Sequence, residues 1–137
     1  MRNPSINPVE RTVLLKKWDD FALDGRLQIM LGESSPAITN YAGRMMFVAL
    51  GCALAAEIDS DDVDVRVIRG AVNALHDHIG NKTIPPELRA SLSSGVNAAL
   101  RVADRAGRKV VATEICTMEL RLRVGHLSYS DFQELVA

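Results

Sequence analysis

The sequence predicts an all-α fold, an up-down bundle of four main helices with a long C-terminal helix and a short terminal one. Three observations carry this. Aromatic residues make up only 4% of the chain, too few for the strand-rich faces of sandwiches and barrels. Apolar residues recur every three or four positions over most of its length, the spacing of one helix face. Asn-Pro and Ser-Pro pairs stand where such stripes begin, and glycines stand where they end.

The 137 residues make one domain of ordinary size, read as a flexible N-terminal arm over 1–7 and a single helical unit over 8–137. A chain of this length buries roughly two-thirds of its unfolded surface and needs no disulfide or metal to fold.

The first helix begins at Asn7-Pro8, an N-cap followed by proline at the first helical position. Val13, Leu14, Trp18, Phe21 and Ala22 give it an apolar face, and Asp24-Gly25 is a turn signal. A rival reading takes Phe21 and Leu23 before that turn, and Leu27, Ile29 and Leu31 after it, as a β-hairpin. An isolated hairpin is marginal and no other strand is evident, so a helix bent at Gly25 is favoured, its stripe resuming at Leu27, Met30 and Leu31.

Ser35-Pro36 opens the second helix. Over 45–56 it has no polar face, so it is the central element, buried on all sides. Met46, Leu50, Leu54 and Ile58 form a ridge of large side chains, and Ala42, Ala49, Ala53 and Ala56 a small face where another helix approaches closely. After the acidic knot of Glu57, Asp59, Asp61, Asp62 and Asp64, either Ser60 or Asp61 caps a third helix. Its stripe is Val65, Ile68, Ala71, Val72, Leu75 and Ile79, and Gly80-Asn81 ends it.

Residues 86–125 read as helix almost without a break. Leu88, Leu92, Val96, Ala99, Ala103, Ala106 and Val110 step by threes and fours; Val111, Ile115, Met118 and Leu122 continue on a rotated face. No Ser, Thr, Asp or Asn follows Gly107 closely enough to cap a new helix, so one long helix, straight or kinked at Gly107, is favoured over two helices with a loop. Straight, it would reach about 60 Å and overshoot the bundle by roughly half, its apolar face covered by the terminal helix or a second subunit; a kink at Gly107 would instead fold it home. Ser128 as N-cap, Asp131 at N3 and a Leu127–Phe132 staple start the short last helix. The pattern Leu122, Gly125, Leu127, Ser128, Asp131, Phe132, Leu135 resembles the short helix-turn-helix of SHOCT segments, bacterial C-terminal appendages. The resemblance covers those residues alone, lacks the lysines usual near the end of that motif, and implies no activity.

The net charge of −1 supplies no global field for nucleic acid or an anionic membrane. The apolar run 45–56 falls short of the ~20 residues a spanning helix needs, and residues 1–10 have no apolar leader core, so a cytoplasmic protein without membrane contact is expected. Cys52 and Cys116 read as reduced thiols, with a bridge between them left open by sequence alone.

Chemistry-bearing patterns are weak. Counted from Asp59, the acidic knot fails the calcium loop, because its fifth, sixth and twelfth positions are Val63, Asp64 and Gly70. His76 and His78 point about 200° apart on a helix and cannot share one ion, which leaves His76 with Glu57 as a residual metal or ligand idea. Ser93-Ser94-Gly95 lies mid-helix, and neither a nucleophile elbow nor a phosphate loop is present. The expectation is a non-enzyme without cofactor.

Two surfaces remain. Val110, Val111, Ile115, Met118, Leu122 and Phe132 form the interface of a non-enzymatic interaction or regulatory protein, homodimeric through the apolar face of residues 110–124. Alternatively Arg101, Arg105, Arg108 and Lys109 touch nucleic acid, although Asp104, Glu114 and Glu119 dilute that stripe and aromatic interleaving is missing.

Overall fold

The computed structural model describes residues 8–25, 36–77 and 86–123. Among them the chain is all-α. Helix α1 spans Pro8–Asp20 and runs on into a π-helical turn, Phe21–Gly25; α2 spans Pro36–Ala55, α3 Val63–Asp77, α4 Pro86–Ala106 and α5 Arg108–Arg123. The helical turn at Phe21–Gly25 sets aside the first strand of the hairpin alternative. The resumed stripe over 27–31, the arm over 1–7, Ile79 and Gly80-Asn81, and the short last helix with Phe132 lie outside the described residues.

Helix α2 is the centre, as its uniformly apolar sequence requires. Its residues from Ala42 to Leu50 are buried, save a half-buried Arg44, and Cys52 and Ala53 continue the core. The ridge fails at its end. Leu54 is 69% exposed, because the helix stops one residue later in a turn that reverses the chain. The turn is a Schellman motif: the Ile58 N–H donates to the Ala53 carbonyl at 2.8 Å and the Glu57 N–H to that of Leu54 at 3.2 Å. Its left-handed position, usually glycine, is taken by Glu57 at φ 57°.

The residue that caps α3 is Asp62, not Ser60 or Asp61. Its Oδ1 accepts the N–H groups of Asp64 at 3.0 Å and Val65 at 3.4 Å. Asp61 instead donates its own N–H to Asp59 Oδ1, inside the preceding turn. Val65, Ile68, Ala71 and Val72 then face the core as their spacing predicts.

The 60 Å rod does not form. Gly107, at φ +95°, separates α4 from α5. It ends one helix by donating its N–H to Ala103 and starts the next by accepting the Val111 N–H at 3.1 Å. No side-chain cap is needed, because a glycine backbone serves as an N-cap almost as well. The two pieces, about 32 and 24 Å long by helical rise, run in opposite senses. Helix α4 is antiparallel to α3: Gly95 lies on Ala71, Arg101 on Asp64 and Arg105 on Asp62. Helix α5 is antiparallel to α2: Glu114 lies on Gly51, and Met118 beside Met45 and Val48. The phase slip in the sequence is this reversal.

Candidate binding groove

Folding back changes what the C-terminal stripe can do. Val111 is 3%, Ile115 7% and Met118 5% exposed within the single chain. Val110 is half-buried, the Leu122 side chain and Phe132 lie outside the described residues, and the apolar face expected to await a dimer partner is covered by α1 and α2. An uncovered stripe follows only if 86–125 is one rod.

The basic stripe is also engaged. Arg101 Nε donates to Asp64 Oδ1 at 2.9 Å. Arg105 grips Asp62 through both terminal nitrogens, at 2.9 and 2.8 Å. Arg108 does the same to Asp19, at 3.2 and 2.8 Å. Lys109 is exposed. Three of the four cations read as phosphate ligands are therefore opposed by carboxylates, and the acidic knot is half of that arrangement. Arg105 first, with the N–H groups of Asp64 and Val65, holds the Asp62 carboxyl down at about 2.

Glu57 and His76 sit at opposite ends of α3, in the turn before it and in its last turn, so the residual metal pair is not assembled. Among the described residues no three His, Cys, Asp or Glu side chains are grouped to hold an ion. Cys52 and Cys116 are not bonded to each other. Burial, then the charge of Glu114, pushes the Cys52 thiol up to about 12, so it stays protonated and inert at neutral pH. None of the described helices is long and apolar enough to cross a membrane.

What the structure does assemble is a groove between α1 and α5 with α2 as its floor, about 480 Å³ including the part open to solvent. Trp18 and Leu14 form one wall, with Phe21 from the π-helical turn at its end. Ile115 and Met118 form the other, and Met45 and Val48 the base. Two cations line it, Lys17 from α1 and Arg44 from α2. The wall on α1 exists because Leu14, Trp18 and Phe21 recur at four and three residues, and the helix widens into its π-helical turn under Phe21. The opposite wall is held by the Arg108–Asp19 pair, which ties the start of α5 to the end of α1.

Two of the six interface residues chosen from sequence, Ile115 and Met118, thus lie in the groove. Sequence reasoning passes over Lys17, Arg44, Met45 and Val48. It treats Trp18 and Phe21 as ordinary core, although the chain's one tryptophan with a phenylalanine a turn further on is the available signal.

This is a helical bundle with an apolar, cation-rimmed groove. A scan against protein-family models, a search of curated proteins and a search of solved structures each return no match.

Proposed function

We propose that the chain is a non-enzymatic helical interaction module that receives an amphipathic segment of a protein partner in the groove between α1, α2 and α5. The observation that carries this reading is the groove itself: a cluster of aromatic and sulfur-bearing side chains where three helices meet, buried except at Phe21, Lys17 and Arg44. An amphipathic helix is the natural occupant of a trough between two helices, because its anchors at i, i+3, i+4 and i+7 form one line. Methionines such as Met45 and Met118 adapt to the anchor they meet. A homodimer through residues 110–124 is the second reading; Val111, Ile115 and Met118 of that face are buried within the single chain, and the last two are shared with the groove.

Trp18 makes the test direct, since the chain has no other tryptophan and this one lines the groove. Synthetic amphipathic peptides sharing one leucine face are titrated against the full chain while its emission is read. Saturable shifts, weakened about tenfold by Phe21→Ala, are expected for a hot-spot aromatic. An emission that stays flat with every peptide rejects the groove. Sedimentation of the same preparation settles the dimer separately, and a second copy bound through the C-terminal face would appear as a doubled mass.

A further inference from the structure

We infer that α1 with its π-helical turn is a movable strap. It lifts from α2 and α5 while the rest of the bundle stays folded, and lifting uncovers Met45, Val48, Ile115 and Met118. Those four side chains line the groove and are buried in the single chain. A partner reaches them when one of the surrounding helices moves, and α1 is the one held least.

The sequence of α1 shows why. Glu10, Arg11, Lys16, Lys17, Asp19 and Asp20 are charged, and the apolar residues are divided between two faces. Val9 and Val13 are exposed, while Leu14, Leu15 and Trp18 face the core, each still 8% exposed. Helix α4 buries eight residues, among them Leu92, Val96 and Val102 with no exposure at all. Among the described residues α1 packs chiefly on α5 and its turn on α2, whereas α2, α3 and α4 pack on one another without it. An element with few buried apolar contacts opens below the free energy of the whole. The Arg108–Asp19 pair that fastens it is exposed at both ends and adds little. Thirteen residues do not hold a helix alone in water, so α1 unwinds as it lifts. Closing again over an occupant, it restores the wall of Leu14, Trp18 and Phe21.

The test uses the full chain in urea. Trp18 emission reports α1, and far-UV circular dichroism reports the helices together. The Trp18 midpoint is expected to fall below that of the dichroism by about 0.5 M urea or more. Amides of Leu14, Leu15 and Trp18 should exchange with solvent on the order of a hundredfold faster than those of Leu92, Val96 and Val102. Leu15→Ala, which removes a buried contact of α1 without altering a residue that lines the groove, should lower the Trp18 midpoint and leave that of the dichroism in place.

Coincident midpoints, or both falling together in Leu15→Ala, make α1 part of one cooperative unit and overturn the strap. An early Trp18 change with α1 amides as slow as those of α4 is a side-chain rearrangement and overturns it too. The role of the strap in admitting a segment rests on the docking reading above and has its own measurement. Leu15→Ala should speed association of the leucine-faced peptides about tenfold, because more of the chain is already open. Association at the wild-type rate overturns that role. Early lifting with no peptide bound rejects the docking reading and leaves the strap standing.

Discussion

The seam between α3 and α4 and the seam between α1 and α5 are built from opposite kinds of residue. Along the first, small side chains bring two helices together: Gly95 rests on Ala71 and on Met46 of α2, with Ala99 and Ala103 buried above it. Its far end is fastened by Asp62 and Asp64 against Arg105 and Arg101. Along the second, large side chains such as Trp18, Phe21 and Met118 meet over α2 and leave a trough, and its cations at Lys17 and Arg44 are not matched by described carboxylates. Small residues with complementary charge close a seam. The second seam has one such pair, Arg108–Asp19 at one end, and beyond it the large residues leave a trough.

The closed seam breaks most readily at Gly95. A Cβ there would fall inside the van der Waals envelope of Ala71 Cβ, which cannot swing away, and of Met46 Sδ, which can. Gly95→Ala should destabilise the chain by about 1–3 kcal/mol, as overpacking does, and thermal unfolding measures it. Unchanged stability would mean that the two helices are not in close contact. The reversal that creates the open seam depends on Gly107, whose φ of +95° disfavours any L side chain although nothing lies within 4 Å of a Cβ there. Gly107→Ala should therefore cost about 1–2 kcal/mol through backbone strain alone. Because α5 forms a groove wall, the same variant should weaken peptide binding; Gly95→Ala should not.

These two glycines also mark what is legible in the sequence. Periodicity identifies the core faces of α3 and α4 residue by residue, since Val65, Ile68, Leu92 and Val96 are buried where the three-and-four spacing puts them. The break at Gly107 is visible as a phase slip but looks like a kink, because a cap is sought in a side chain and the glycine backbone supplies it. That single misreading turns a folded-back helix into an exposed stripe, and with it places the partner on Val111, Ile115 and Met118. The arginine pairs are beyond local reading: Arg101 meets Asp64 across 37 positions, Arg105 meets Asp62 across 43 and Arg108 meets Asp19 across 89. No pattern within one helix announces a partner on another. The groove is the same kind of property, assembled from three helices and a turn.

A control for the closed seam lies on the other side of it. Gly70 sits inside α3, exposed, with nothing within 4 Å of the position a Cβ would take. It therefore carries only the general penalty of glycine in a helix. Gly70→Ala should stabilise the chain by about 0.5–1 kcal/mol, opposite in sign to Gly95→Ala, when both are compared by chemical denaturation. Loss of stability instead would mean that this face of α3 is covered in solution.

The smallest effect tests the charged fastening of the closed seam. The Asp62 carboxyl titrates at about 2 in the folded chain against an ordinary value of 3.8, so the unfolded chain takes up a proton first as the solution is acidified. Its contribution is fully present above about pH 4 and fades as the pH falls towards about 2. Asp62→Asn separates this charge from the cap, because asparagine caps a helix as well as aspartate but cannot pair with Arg105. Wild type should be the more stable above about pH 4, by the modest amount typical of exposed ion pairs, and the two melting curves should converge near pH 2. Salt should shrink the difference in the same direction. A gap that persists undiminished to pH 2 would show that the difference does not come from the charge of Asp62. The seam would then be closed by the fit of Gly95 on Ala71, without help from the arginines.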